Sequence, residues 1–251
     1  MQLIILASGR GLRLGKYTRN KPKCLVNVCN NTIISYIMPI FKFYKEVIFI
    51  SGYKSEILQN YLKDIPNLIF IENLNFSSTN MVESLFICNK YVKDDVVISY
   101  SDIIFDLNIL KILNKCTRST IPIYKNWLKL WKKRMNKNEI LNDAEELKFN
   151  NKKITMIGEK IEKKLPQYQF MGISKLMKND YKKLSKFYFS CADKKIDFTK
   201  FLNMAINKKI IDLYHLKTDK FWMEIDSEKD LSVAENAMKT NFLIQQNMQR
   251  F

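Results

Sequence analysis

The chemistry of this chain begins at Leu6-Ala7-Ser8-Gly9-Arg10-Gly11-Leu12-Arg13-Leu14, followed shortly by Lys21-Pro22-Lys23. A glycine-rich turn after a first strand presents backbone N–H groups to an anion. Arg13 and Lys23 add fixed positive charge, so the segment reads as a phosphate-binding loop. Only 6 of the 251 residues are glycine, yet Gly9, Gly11 and Gly15 share this one short stretch, as expected where the backbone needs positive φ or close approach to a ligand. The loop is not a Walker A motif, because no Gly-Lys-Ser/Thr follows. It is not a dinucleotide fingerprint either, because Leu14 stands where that pattern needs glycine or alanine.

Carboxylates come second. Asp102 ends the apolar run Ser99-Tyr100-Ser101-Asp102, where it could hold Mg²⁺ against phosphates or simply cap a helix. In Trp222-Met223-Glu224-Ile225-Asp226, Glu224 and Asp226 share a face if the segment is a strand. The same residues would also suit a helix start, with Asp226 or Ser227 as the cap. His215 reads as a packed or surface histidine. Trp127 and Trp131, one helical turn apart, share a face; packing is the simplest reading, beside an aromatic wall for a quaternary ammonium or a membrane-surface face.

The opening motif, L-A-x-G-x-G-x-R-L with K-P-K, resembles that of nucleotidyltransferases that couple NTPs to sugar phosphates or to small alcohol and aminoalkyl phosphates. The resemblance implies a Rossmann-like (GT-A-like) α/β fold. In it, Leu6, Ala7, Ser8, Gly9 and Gly11 would bind the nucleotide, Arg13 would help wrap the triphosphate, and Lys23 would stabilise charge on the α-phosphate. Asp102 and Asp226, with Glu224, would be the metal carboxylates, since Trp222 to Leu231 resembles the family's late W-x-E-I-D-x-x-x-D-L motif. Ile157-Gly158-Glu159-Lys160 resembles a segment whose lysine grips the acceptor phosphate, and Gly172 resembles a glycine that lets the acceptor approach. Thr79-Asn80-Met81-Val82-Glu83-Ser84-Leu85 resembles the T-N-x-x-x-S-L segment of phosphocholine-type cytidylyltransferases. There Thr79, Asn80 and Ser84 would lie near the base, which points to CTP. The departures are Ser8 for alanine, Ser101 for glycine, and Gly15-Lys16-Tyr17-Thr18 where a proline often precedes the threonine.

These residues must be positioned by elements. Residues 2–7, 47–50, 68–71 and 96–100 are apolar runs of the buried-strand type. Helical patterns separate them at 32–43, 54–62 and 79–91, the last with Thr79 as N-cap, and Asp106 caps another helix. This alternation predicts a mostly parallel sheet covered on both faces, with ligands beyond the carboxyl ends of its strands. Further on, a basic helix is expected at 125–138 and a strand pair at 145–149 and 153–158. Strands follow at 169–176 and 210–216, helices at 179–189 and 198–208, and a long helix at 226–247. Residues 232–247 are a candidate homodimer helix. With no linker in sight, one domain is expected, with a nucleotide-binding part at 1–123 and a smaller acceptor lobe and C-terminal helix at 124–251.

Composition trims the remaining classes. The formal charge is +17, but 36 of the 42 basic residues are lysine. The lysines are scattered, whereas nucleic-acid readers lean on arginine for bidentate contacts, so no nucleic-acid partner is expected. No apolar run reaches membrane-span length and no secretory signal is visible. Five scattered cysteines and one histidine give no structural zinc pattern, and reduced thiols in a cytoplasm are expected. The combined expectation is a Mg²⁺-dependent cytidylyltransferase. It would join CTP to a small phosphorylated or phosphonate acceptor such as phosphocholine, release pyrophosphate, and serve cell-surface glycan or lipid decoration. The alternatives are a sugar-1-phosphate nucleotidyltransferase and a non-catalytic basic nucleotide-binding protein.

Overall fold

The computed structural model describes residues 1–240 apart from 163. In chain order, β1 (Gln2–Ala7) leads through the glycine loop to a small hairpin of β2 (Asn27–Val28) and β3 (Asn31–Thr32). Next come β4 (Val47–Ser51), α1 (Ser55–Leu62), β5 (Leu68–Glu72), α2 (Met81–Phe86), β6 (Val96–Tyr100) and β7 (Ile103–Phe105). The middle holds α3 (Asn108–Asn114), β8 (Thr120–Tyr124), α4 (Trp127–Arg134), α5 (Lys137–Asp143), β9 (Glu145–Asn150) and β10 (Lys153–Lys160). The last part is β11 (Gln169–Phe170), β12 (Ile173–Leu176), α6 (Lys178–Ser190), α7 (Phe198–Asn207), β13 (Tyr214–Thr218), β14 (Trp222–Glu224) and α8 (Glu228–Thr240).

Ten strands form one sheet in the order β5-β4-β1-β6-β12-β8-β13-β10-β9, with β11 also on β8. Strands β10, β11 and β12 oppose the others, so the sheet is mostly parallel and the fold is Rossmann-like α/β. Alternation along each strand feeds two cores. Leu3, Ile5, Val47 and Phe49 face one, with α1, α3, α4 and α5. Ile4, Leu6, Ile48 and Ile50 face the other, with α2, α6 and α7. Strands covered on both faces can be apolar throughout, as β1 and β4 are. A third core, including Leu14, Ile104, Met223, Ile225 and Leu231, packs α8 against the loop after β1.

Several boundaries differ from the sequence expectation. Residues 34–36 and 38–43 are 3-10 turns rather than one helix, because Pro39 lacks an N–H and clashes within an α-helix interior. The helix expected at 79–91 is only Met81–Phe86, capped by Asn80, whose side chain accepts from the Met81 N–H at 2.7 Å. Thr79 instead donates its hydroxyl to the Asn75 carbonyl. Asp106 accepts from the Asn108 N–H, although Leu107 holds the cap position. The basic helix of 125–138 splits at Met135, and α5 restarts on a reciprocal cap between Asn136 and Glu139. The strand expected at 169–176 breaks at Gly172, whose φ is +72. The strand expected at 210–216 starts only at Tyr214, because Ile211 and Leu213 bury themselves in the core first. The candidate dimer helix at 232–247 lies partly outside the described residues.

Trp127 and Trp131 are both buried and stack edge to face at 5.0 Å, so they form no membrane-facing surface. His215 packs on Phe149 at 4.3 Å and its Nε2 contacts the Asn151 carbonyl. The five cysteines are unpaired, and among the described residues no helix is long and apolar enough to cross a membrane.

Candidate active site

The loop after β1 is shaped by close approach. Gly11 has φ +69, and a Cβ there would come within 3.0–3.1 Å of the Lys23 stem. Glycine thus lets Lys23 cross the loop and enter the cleft behind it. Gly9 faces open space. The Ser8 hydroxyl meets that of Ser84 at 2.8 Å, and Asn73 donates to Ser84 at 3.0 Å, tying the loop to α2. Leu6, Ser8, Gly9, Gly11, Arg13, Lys23, Thr79, Asn80, Ser84, Asp102 and Asp226 all line this cleft, whose volume is about 500 Å³. Ala7 does not line it; its side chain joins the core below. The Asn80 amide donates to Asp197 at 2.7 Å and the Ser84 hydroxyl is buried, so both polar groups already have protein partners.

The acidic residues converge through a small antiparallel ribbon. β14 pairs with β7 with Glu224 opposite Ile103, and the Ile225 N–H donates to the Asp102 carbonyl at 2.9 Å. Oxygens of Asp102, Glu224 and Asp226 come within 4.8 Å of one another. Asp226 is not spent as a helix cap. Ser227 and Asp230 cap α8 reciprocally, with the Asp230 carboxylate also accepting the Asp226 N–H at 3.0 Å. The Asp226 side chain is therefore left to meet Arg13 at 2.8 Å and the Lys23 ammonium. Lys23 also meets Asp102 at 2.6 Å.

Electrostatics follow from that crowding. Burial, with Asp226 and Asp102 beside it, pushes the Glu224 carboxyl up to about 8. Burial acts the same way on Asp226, but Lys23 and Arg13 overcome it and hold this carboxyl below the usual range. Burial disfavours charge on Lys23, yet Asp102 and Asp226 outweigh it and raise its pKa.

A second pocket of about 310 Å³ adjoins the first and shares Arg13, Tyr100, Asp102 and Asp226 with it. Glu224 and Gly172 line this pocket. The positive φ of Gly172 and the Tyr100 ring, 2.8 Å from where a Cβ would stand, leave no room for a side chain. Its walls carry the aromatics Trp131, Phe170, Phe198 and Trp222 and the carboxylates Asp143, Glu145 and Asp197. Burial raises the pKa of both Asp143 and Glu145. Lys160 and Glu159 line neither of these pockets. They sit on a third cavity beyond, whose lining also includes Asp143, Glu145 and Asp197, and the Glu159 carboxylate accepts from Asn203.

The sequence reading missed Asp197, Tyr100 and Arg134. Asp197 and Tyr100 gave no local signal. Arg134 did give one, being one of only six arginines in a lysine-rich chain.

A family model described as nucleotidyl transferase matches residues 2–241. The CTP:phosphoglutamine cytidylyltransferase of Campylobacter jejuni is 33% identical over 254 residues, spanning 93% of this chain and 98% of that one. Among solved structures, the inositol-1-phosphate CTP transferase from T. maritima superposes with a TM-score of 0.77 at 21% identity, over 96% of both chains. The CTP:phosphocholine cytidylyltransferase from Streptococcus pneumoniae gives 0.75 at 24% identity, over 94% of this chain and 98% of that one. At those identities the two structures show a shared fold. The resemblance carried by the glycine loop is thus borne out, and the chain belongs to the nucleotidyl transferase family.

Proposed function

We propose that this enzyme is a cytidylyltransferase that couples CTP to a small phosphorylated acceptor. The observation that carries the reading is the meeting of Lys23 with Asp102, Glu224 and Asp226 where the glycine-loop cleft opens into the acidic, aromatic pocket. An acceptor phosphate oxygen forms a bond to the α-phosphorus of CTP, and the bond from that phosphorus to the bridging oxygen breaks. Pyrophosphate leaves with the electron pair. No protein base is required, because a phosphate monoester with a second pKa of about 6 is mostly dianionic at neutral pH. The protein's work is positioning and charge neutralisation.

Gly9 and Gly11 offer backbone to the triphosphate, Arg13 and Lys23 neutralise it, and the base lies toward Thr79, Asn80 and Ser84. The carboxylate set fits Mg²⁺, a cation that prefers oxygen ligands. Asp102 Oδ1 is buried with no hydrogen-bond partner, and its neighbours are acidic oxygens within reach of one ion. When bound, Mg²⁺ would neutralise triphosphate charge and make the α-phosphorus easier to attack.

The acceptor occupies the second pocket. Arg13 lines both pockets and is placed to meet the acceptor phosphate, with Lys160 further out. The carboxylates Asp143, Glu145 and Asp197 suit an acceptor whose far end is an amine or quaternary ammonium. Phosphocholine, an aminoalkyl phosphonate and phosphoglutamine all carry one. The CDP-linked product would then serve cell-surface glycan or lipid decoration, as the family resemblance suggests.

The test is pyrophosphate release from four NTPs against phosphocholine, phosphoglutamine, an aminoalkyl phosphonate, inositol 1-phosphate and glucose 1-phosphate. We expect CTP with a cationic acceptor to win, and turnover to stop when EDTA removes divalent ions. Equal use of all NTPs, or preference for the sugar phosphate, would overturn the reading.

A further inference from the structure

We infer that Arg134, which lines neither the cleft nor the pocket, is a positioning residue that holds Glu224 and Asp226 in register as cation ligands. The inference rests on the proposed cation site at Asp102, Glu224 and Asp226. Arg134 ends α4 and is 3% exposed. A buried arginine needs partners, and the partners here are specific. Nη1 donates to the Glu224 carbonyl at 2.9 Å and Nη2 to Glu224 Oε2 at 3.4 Å. Nε lies 3.4 Å from Asp230 Oδ1. The other Asp230 oxygen accepts the N–H groups of Asp226 and Ser227. One guanidinium therefore grips Glu224 directly and Asp226 through Asp230. Trp131 lies beneath it, 5.4 Å from ring centroid to guanidinium carbon, fixing its plane.

The charge arrangement explains why such a group is needed. Three carboxylates this close repel one another. Lys23 and Arg13 offset that repulsion from the front, but both line the cleft, where a triphosphate competes for them. Arg134 offsets it from behind, where no substrate reaches. Lysine cannot reproduce the contact, because a single ammonium nitrogen cannot donate to both the carbonyl and the carboxylate of Glu224 in one plane while also lying against Asp230.

The test is Mn²⁺ binding to the full chain without nucleotide, followed by electron paramagnetic resonance. It compares wild type, R134K and D230N, with an unfolding midpoint for each. Groups that orient a metal ligand typically change metal affinity by ~10–100-fold when replaced. R134K should weaken Mn²⁺ about tenfold or more and raise the Mg²⁺ needed for half-maximal turnover, while CTP binding in EDTA stays as in wild type. D230N should show a smaller loss, since the grip on Glu224 remains. A folded R134K with wild-type Mn²⁺ affinity overturns the inference. If R134K does not fold, unchanged Mn²⁺ affinity in D230N overturns it. If wild type itself binds no Mn²⁺, the proposed cation site fails, and this inference with it. That result is distinct from one in which only the variants match wild type.

Discussion

At the scale of single residues, Lys23 carries the heaviest consequence. It is mostly buried, meets Asp102 at 2.6 Å and reaches Asp226 as well. Removing one preorganised donor to developing charge typically costs about 10²–10³ in rate. Lys23→Ala should therefore lower kcat for pyrophosphate release by about that factor. Asp102→Asn should abolish Mg²⁺-dependent turnover while the circular dichroism spectrum stays that of wild type; retained turnover would remove Asp102 from the proposed cation site. Lys23, Arg13 and Asp102 were legible in sequence because each lies beside a local landmark, a glycine cluster or a strand end. The acidic wall was only partly legible: the run Asp143-Ala144-Glu145-Glu146 offers three carboxylates to a substrate amine, but Asp197 stands far from it in sequence. Asp143 and Glu145 meet Asp197 solely through the packing of α7 beside β9 and β10, and no spacing announces that. Arg134 stood out by type, but nothing in its spacing points to its partners, which lie about 90 residues downstream.

Among the elements, α5 offers the cleanest test. Asn136 accepts from the Asn138 and Glu139 N–H groups at 2.9 and 3.0 Å, and Glu139 returns the bond to Asn136 at 2.7 Å. Replacing such an N-cap by alanine costs about 1 kcal/mol. Asn136→Ala should lose roughly that in urea unfolding. Because α5 ends at Asp143, on the pocket wall, KM for the acceptor should rise while KM for CTP holds. The Asn136–Glu139 pair was available in the sequence as a capping signature, yet the basic periodicity across 125–138 masked it. Strands fared better than helices because continuous burial writes continuous apolar runs. Where two polar residues competed for one cap, as Thr79 and Asn80 did, spacing could not choose; only the geometry of Asn80 shows which side chain faces the open N–H groups.

The whole molecule is +17, yet the charged side chains lining its proposed acceptor pocket are mostly carboxylates. Such separation of charge should steer an anionic nucleotide toward the basic loop. Accordingly, kcat/KM for CTP should fall as ionic strength rises from about 0.01 M to about 0.15 M, over which the screening length shrinks from roughly 30 to 8 Å. A flat profile would deny any steering. The ten-stranded sheet has a mechanical consequence as well. Strand β12 hydrogen-bonds to β6 on the glycine-loop side and to β8 on the other, so the two pockets hang from one plate rather than from two hinged bodies. Bringing the reactants together by swinging one half against the other would mean tearing that ladder. The bite of the enzyme is instead set in advance, like a caliper locked at one opening. If the acceptor takes the second pocket as proposed, one that is one or two bonds too long or too short would place its phosphate off the line of attack, so length would join charge as a criterion of choice.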